Sequence, residues 1–228
     1  MSEEVAVKTK APKEPLFSKK NKKLVTDPLT DNNPVTIQVL GICSALAITV
    51  QVEQAVVMGL SVIFVLVLGN LIISLLRNMI PSRIRIIVQL VVVASLVIIV
   101  NQVLMAFLPD VSEKLSVFVG LIITNCIIMG RFEAFAMANK PWPSIMDGIG
   151  NGLGYAGLLI LVAVFRELFG SGTLYGFPIF GDYIEGNGLY SLGYMNNNMM
   201  ILPPMALIIV GVIIWVQRAR NKSLIEEH

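Results

Sequence analysis

Residues 55–76 read AVVMGLSVIFVLVLGNLIISLL, an apolar run without a single Lys, Arg, Asp or Glu. A helix of about 20 such residues spans the roughly 30 Å hydrocarbon core of a bilayer. The whole chain of 228 residues is 55% hydrophobic and only 14% charged, with a mean hydropathy of +0.77. These values exceed what a soluble domain needs to fill its core. The run therefore predicts an integral membrane protein.

Five further apolar runs are long enough to span a bilayer or nearly so. They lie at residues 35–50, 84–108, 115–138, 149–168 and 199–216. The first is the shortest, and it contains Thr36, Gln38, Ser44 and Thr49, so we expect it to need protein neighbours rather than lipid around it. The pattern predicts an all-α fold with six transmembrane helices.

Basic residues collect on alternate loops, as the positive-inside rule requires of cytoplasmic segments. Fifteen of the seventeen Lys and Arg residues share one predicted side, namely seven lysines before residue 24, Arg77, Arg83, Arg85, Arg131, Lys140, Arg218, Arg220 and Lys222. The distribution predicts that both the N-terminus and the C-terminus are cytoplasmic.

The six runs divide the chain into two halves. Residues 1–34 are rich in Lys and lack an apolar pattern or a signal-peptide core, so we expect a flexible cytoplasmic tail. Residues 35–108 and 109–218 each hold three runs, the second with an outer loop at 170–198, and residues 219–228 form a short cytoplasmic tail. Because three is odd, equivalent runs enter the membrane from opposite sides. This parity predicts two inverted three-helix repeats.

The chain has two cysteines, and each lies near the middle of the first run of its half. Cys43 lies in LGICSALA (residues 40–47), and Cys126 lies in IITNCIIMG (residues 122–130). Inverted repeats place functional sites near the midplane, often on broken helices. Gly41, Thr124 and Asn125 beside the cysteines favour a break over a plain lipid-facing helix. We therefore expect the first helix of each repeat to be broken near its cysteine.

Three interpretations of the cysteines stay open on residue type alone. A buried free thiol is commonly a small hydrophobic side chain, and two cysteines in an oxidising compartment can form a disulfide. Thiolates also select iron–sulfur or zinc sites, which normally need four ligands. A complete site of that kind would need two more sulfurs from another chain.

Two other features have ordinary structural interpretations. The glycines at 148, 150, 152, 154 and 157 partly satisfy the G-x-G-x-x-G spacing, but no strand precedes them, so close helix packing is favoured over a phosphate cradle. Arg166 and Glu167 lie near the outer end of the fifth run, where snorkelling or pairing is the default and a part in a cation path is the alternative.

Five stretches carry a resemblance to a known family. They are NPVTIQVLGICSALA (33–47), RIRIIVQ (83–89), LIITNCIIMGRFEAFA (121–136), DGIGNGLGY (147–155) and FRELFGSG (165–172). From residue 33 to residue 218 the chain resembles the D-subunit family of the bacterial sodium-translocating NADH:quinone reductase. The sister family, the E subunits of the Rnf ferredoxin:NAD oxidoreductase, tends to have Cys-Pro where this chain has Cys43-Ser44.

The resemblance implies a subunit of a redox-driven sodium pump in the bacterial inner membrane, part of an enzyme of six subunits and inactive alone. It implies that Cys43 and Cys126 hold half of a four-cysteine [2Fe-2S] cluster, shared with the homologous E subunit, and that electrons cross the bilayer through it. It implies no NAD on this chain, and residues 170–173 (GSGT) lack the alanine of the family's covalent flavin pattern, so no flavin is expected. Nucleic acid is not an expected partner.

Three rival functions remain beside this one. An Rnf-type ferredoxin:NAD oxidoreductase subunit would use the same fold with a different redox partner. A small-solute transporter with inverted repeats would use the same topology without metal. A scaffold with inert cysteines would need neither a polar cavity nor iron.

Overall fold

The computed structural model describes residues 19–29, 32–81, 83–107, 120–174, 177–178 and 198–220. Its helices are α1 (Lys19–Thr26), α2 (Ile42–Ile48), α3 (Val52–Leu76), α4 (Arg85–Phe107), α5 (Cys126–Arg131), α6 (Pro141–Gly170) and α7 (Pro203–Arg220). Short 3-10 helices occupy Asp27–Leu29 and Asn198–Ile201, and a π-helix, Phe132–Ala136, continues α5. Two-residue strands, β1 (Thr173–Leu174) and β2 (Phe177–Pro178), pair antiparallel.

Four of the described helices, α3, α4, α6 and α7, are long and apolar enough to cross a membrane. The chain is therefore a multi-pass helical membrane protein, as the composition predicted. The first and fourth apolar runs do not form continuous spans. In the first run only the short helix α2 is formed, and in the fourth residues 120–123 are separated from α5 by a non-helical step at Thr124 and Asn125.

Both interruptions adjoin a cysteine, which matches the expected breaks. Helix α2 begins directly after Gly41, whose φ of 83° lies in the left-handed region that favours glycine. Helix α5 begins directly after Asn125, whose side-chain oxygen accepts a hydrogen bond from the Ile127 amide at 3.2 Å. An asparagine at this position satisfies an amide that the first helical turn leaves free. Local sequence therefore accounts for both breaks.

Helices α3 and α6 pack against each other in opposite directions. The Glu167 carboxylate, near the end of α6, accepts a hydrogen bond at 2.6 Å from the Val52 amide at the start of α3. At the other end, the Ser74 hydroxyl donates to the Asn139 carbonyl oxygen at 2.7 Å. Between these contacts the two backbones approach closely, because a Cβ on Gly59 would lie 2.9 Å from the Ala156 Cβ. The pair forms the centre of the buried core.

The glycine run of α6 serves two packing faces. A Cβ on Gly148 or Gly152 would lie 3.2 or 3.3 Å from a backbone Cα atom of α3. A Cβ on Gly150 or Gly154 would lie 2.6 Å from a backbone carbonyl oxygen of the segment at residues 19–29. At Gly157 a Cβ would meet nothing within 4 Å. The interpretation of the run as a close-packing surface therefore agrees with the structure for the first four glycines.

The segment at residues 19–29 differs from the flexible tail that we expected for residues 1–34. It forms α1 and a 3-10 turn, and it lies in the groove that Gly150 and Gly154 open on α6. Farther along, the Asn33 side chain donates to the Gly154 carbonyl oxygen at 3.2 Å, and Val35 is fully buried. The composition did not predict this docking because the contact surface on α6 is formed by glycines, which have no side chains. Residues 1–18, most of the outer loop and residues 221–228 lie outside the described residues.

Replacing Gly150 by Leu is expected to detach α1 from α6, because the new side chain must displace the backbone of residues 24 and 25. Hydrogen exchange of the amides at residues 19–29 in the detergent-solubilised protein measures the effect, and we expect it to accelerate. The matched control is Gly157→Leu on the same helix, where the added side chain has open space. Equal exchange in the two variants would contradict the docking.

Candidate metal centre

The structure brings together the segments of two cysteines that are 83 residues apart in the sequence. The Cys43 and Cys126 side chains lie near enough to interact electrostatically. The Gly41 amide donates a hydrogen bond to the Cys126 sulfur at 2.8 Å. Both thiols are free, so the disulfide interpretation does not describe this arrangement. The two helix breaks therefore meet at one point, with a sulfur from each.

The approach to Cys43 has unusual backbone geometry. Val39, three residues before α2, has a φ of 57°, a value that β-branched residues rarely adopt. Gly41 follows with its own positive φ, and a Cβ there would lie 2.9 Å from the Tyr155 ring. The turn brings the Gly41 amide within reach of the Cys126 sulfur, and this close approach requires glycine at position 41.

A buried polar cluster lies directly behind the cysteines. The Tyr155 hydroxyl is 2.6 Å from the Ser44 hydroxyl, and the Asn125 side-chain nitrogen donates to both oxygens at 3.4 Å. The Ser44 hydroxyl also donates to the Gly41 carbonyl oxygen at 2.8 Å. All three polar side chains are fully buried. The cluster links the residue after Cys43 to the residue before Cys126.

The site lies halfway along the longest helix. Tyr155 is 14 residues from Pro141 and 15 residues from Gly170, the two ends of α6. At about 1.5 Å per residue, either end is roughly 21–23 Å away. The cysteine pair therefore lies beside the midpoint of a helix that is long enough to cross the apolar layer. At that depth a polar site that is not enclosed by protein would be costly.

The two sulfurs differ in exposure. The Cys43 side chain is exposed, Cys126 is half-buried, and the neighbouring Thr124 is exposed. Within the part of the chain that the structure describes, no group of three or more His, Cys, Asp or Glu residues could hold a metal. Two thiols at one point, open on one side, can supply half of a four-sulfur site. The donor set fits an iron–sulfur centre that a second polypeptide completes.

Arg166 and Glu167 do not snorkel, because both side chains are almost completely buried. The guanidinium of Arg166 donates to the carbonyl oxygens of Leu46, Met200 and Ile201, and to the Thr49 hydroxyl at 2.7 Å. These are acceptors at the end of α2 and at the 3-10 helix before α7. Arg166 and Glu167 therefore attach the connection between α2 and α3 to α6. Arg166 binds the end of α2, and the Glu167 carboxylate accepts a hydrogen bond from the first amide of α3.

Charged side chains near the first half of α6 form two ion pairs. Arg131 pairs with Asp147, which is 1% exposed and also accepts from the Asn151 amide at 3.0 Å. Glu133 pairs instead with Arg85 on α4, at a partly exposed position. The sequence analysis did not single out Asp147. Residues two apart on a helix point in nearly opposite directions, which explains why Arg131 and Glu133 have different partners.

Sequence reasoning also missed Tyr155. The sequence feature that could have indicated it is its position inside the glycine-rich start of an apolar run. A buried tyrosine hydroxyl there needs a hydrogen-bond partner. Ser44 and Asn125 adjoin the cysteines in the sequence, but their common contact with Tyr155 needs the fold. Cys43 and Cys126, the two predicted site residues, are the pair that the structure brings together.

The fold and site define a class: a multi-pass helical membrane protein with a thiol pair between two broken helices. A family model described as "Rnf-Nqr subunit, membrane protein" matches residues 21–214. The chain belongs to this family. It is 55% identical to a protein of Psychromonas ingrahamii named as the D subunit of the Na(+)-translocating NADH-quinone reductase, over 90% of this chain and 95% of the relative.

Two further relatives carry the same name. The protein of Photobacterium profundum is 52% identical over 92% of this chain and 97% of its own length. The protein of Pasteurella multocida is 51% identical over 92% of this chain and 99% of its own length. The resemblance to the D-subunit family, drawn from five short stretches, is thereby confirmed over nearly the whole chain.

Proposed function

We propose that this chain is a membrane subunit of a sodium-translocating NADH:quinone reductase, an enzyme of the oxidoreductase and translocase class, and that Cys43 and Cys126 supply half of a [2Fe-2S] centre. The observation that carries the proposal is the hydrogen bond from the Gly41 amide, two residues before Cys43, to the Cys126 sulfur, which brings two free thiols together with the Cys43 side exposed. A homologous polypeptide in the same complex would supply the other two sulfurs. The names of the relatives support the enzyme, and the thiol pair supports the centre.

An iron–sulfur centre supplies one-electron transfer, and a centre at mid-depth divides the roughly 30 Å apolar layer into two shorter steps. The residues of this chain hold the sulfurs and keep lipid and water from one side of them. The Gly41 amide donates to one sulfur, and the buried Ser44, Asn125 and Tyr155 side chains form a polar wall behind both. Such a wall compensates part of the cost of charge in an apolar layer.

The proposed topology has six crossings in two inverted repeats, with cytoplasmic termini in the bacterial inner membrane. Its support is the order of elements in each half: a break at a cysteine, a short helix, then a long helix, α3 or α6. These long helices run antiparallel, as inverted equivalents must. The remaining two crossings would be completed by the interrupted segments that contain α2 and α5.

The rival functions make different demands. A solute transporter needs a polar cavity and no stoichiometric iron, so the iron content of the purified complex separates it from the proposed enzyme. The family model covers Rnf subunits as well, but the three relatives are named for the sodium-translocating NADH-quinone reductase. The same complex assayed with ferredoxin and with quinone separates these two enzymes.

Replacing Cys43 or Cys126 by Ala is expected to remove the intramembrane centre, because a four-thiolate site rarely survives the loss of one ligand. The measurement is iron and acid-labile sulfide per purified complex, with the electron paramagnetic resonance signal of the reduced centre. Each single variant should lose two irons, two sulfides and one signal relative to the unmodified complex.

Thr124→Ala is the matched control, because Thr124 is exposed beside Cys126 and has no thiol. It should keep the full iron and sulfide content. Iron content that is unchanged in both cysteine variants would reject the proposed centre, and it would favour inert cysteines.

A further inference from the structure

We infer that Tyr155 is a positioning residue for the cysteine pair, and that its hydroxyl also adjusts the reduction potential of the centre that the pair holds. The second part rests on the proposed function, whereas the first part concerns only this chain. Tyr155 belongs to neither cysteine-bearing segment. It stands on α6 and contacts both of them.

The hydroxyl connects the two breaks. It bonds to Ser44, the residue after Cys43, at 2.6 Å, and it accepts from Asn125, the residue before Cys126, at 3.4 Å. Asn125 is itself fixed, because its oxygen accepts from the first turn of α5. A shift of either break therefore stretches a hydrogen bond to the same oxygen.

The ring acts on the same pair through Gly41. Two of its carbon atoms lie 2.9 and 3.3 Å from where a Gly41 Cβ would be, so the ring packs directly on the Gly41 backbone. The amide of that glycine donates to the Cys126 sulfur. Through this contact the ring supports the hydrogen bond that joins the first break to the second sulfur.

Burial makes the hydroxyl effect separable from packing. Tyr155 is fully buried in the middle of an apolar helix, where a hydroxyl is costly unless it is hydrogen-bonded. A phenylalanine would fill the same space without that cost. If Tyr155 acted by packing alone, its hydroxyl would therefore contribute nothing. Through Ser44, whose hydroxyl donates to the Gly41 carbonyl oxygen, the Tyr155 hydroxyl also helps to fix the Gly41 amide that donates to the Cys126 sulfur. A hydrogen bond donated to a sulfur ligand stabilises the negative charge gained on reduction, so it raises the reduction potential.

The test compares Tyr155→Phe with Ser61→Ala in the purified complex. Ser61 has a buried hydroxyl on α3 that donates to the Val57 carbonyl oxygen of the same helix at 2.8 Å, its one hydrogen bond among the described residues. The first measurement is the midpoint potential of the centre by redox titration of its resonance signal. In Tyr155→Phe we expect full iron content and a potential lower by about 60 mV, which is a tenfold change for a one-electron couple.

The second measurement does not need the metal. The complex is stripped of iron with a chelator, reduced, and treated with dibromobimane, which fluoresces when it joins two neighbouring thiols. Loss of one buried hydrogen bond should lower the yield of the Cys43–Cys126 cross-link about fivefold, equivalent to about 1 kcal/mol. Ser61→Ala should match the unmodified complex in both measurements.

A cross-link yield in Tyr155→Phe equal to that of Ser61→Ala would overturn the positioning role. A potential equal to that of Ser61→Ala would overturn the effect on the centre. Ser44→Ala, which removes the other hydroxyl of the network, provides a second test if Tyr155→Phe does not accumulate. Absence of iron from the unmodified complex would instead reject the proposed function, and the cross-linking would still decide the positioning role.

Discussion

The Arg166→Leu variant is expected to be severely destabilised, by about 3 kcal/mol or more, because each buried acceptor that loses its donor costs roughly 1–3 kcal/mol. Arg166 is 1% exposed, and its guanidinium donates to three backbone carbonyl oxygens and one hydroxyl. Leucine fills much of the volume and supplies none of these donors. The measurement is the thermal unfolding midpoint of the purified complex, together with the amount of this chain in membranes.

Two controls accompany this prediction. Arg166→Lys keeps the positive charge but cannot reproduce the forked set of donors, so it should be intermediate. Leu161→Val changes a partly exposed side chain on the same helix and should have little effect. A midpoint for Arg166→Leu that matches Leu161→Val would contradict the role of Arg166 in holding α2 and the 3-10 helix together.

The Arg131→Leu variant is expected to lose about 3–5 kcal/mol, the usual cost of leaving one member of a buried ion pair without its partner. Asp147 is 1% exposed, and Arg131 donates to its carboxylate through two nitrogens. Removal of Arg131 leaves that carboxylate with the Asn151 amide as its remaining side-chain donor among the described contacts. The thermal midpoint of the complex again measures the loss.

Two comparisons separate burial from charge in this result. The double variant Arg131→Leu, Asp147→Asn removes the uncompensated charge, so it should recover a large part of the loss. Arg85→Leu breaks the other ion pair, with Glu133, where both side chains are more than a third exposed, and should cost at most about 1 kcal/mol. Equal losses in Arg131→Leu and Arg85→Leu would contradict the importance of burial at Asp147.

Apolar runs and charge placement predicted the membrane class, and the four long helices agree with four of the six runs. The hydropathy of the runs could not reveal the break in the first run before α2, or the break at Thr124 and Asn125 in the fourth, because it averages over Gly41 and Asn125. What pointed to the breaks was residue type beside each cysteine: a glycine that can adopt positive φ, and an asparagine that can begin a helix.

The meeting of Cys43 and Cys126 was expected from the predicted inverted repeats, since each cysteine occupies the first apolar run of its predicted half. The side chains that surround the two cysteines could not be predicted from the repeats. Tyr155 reaches the pair from α6, the first long helix of the second half, and Asp147 meets Arg131 through a turn of π-helix and a loop. Such contacts depend on the rotation and depth of helices, which periodicity leaves open when a helix is apolar on all sides. The docking of residues 19–29 could not be predicted because it depends on Gly150 and Gly154, which form the contact through their backbone.

A metal site shared by Cys43 and Cys126 with a second chain would be visible in an experimental structure of the purified complex, with anomalous scattering recorded at the iron edge. We predict an iron signal in contact with both sulfurs and with two further sulfurs from a second chain. A well-ordered cysteine pair with no iron signal, or with lipid against the exposed side of Cys43, would contradict the shared site.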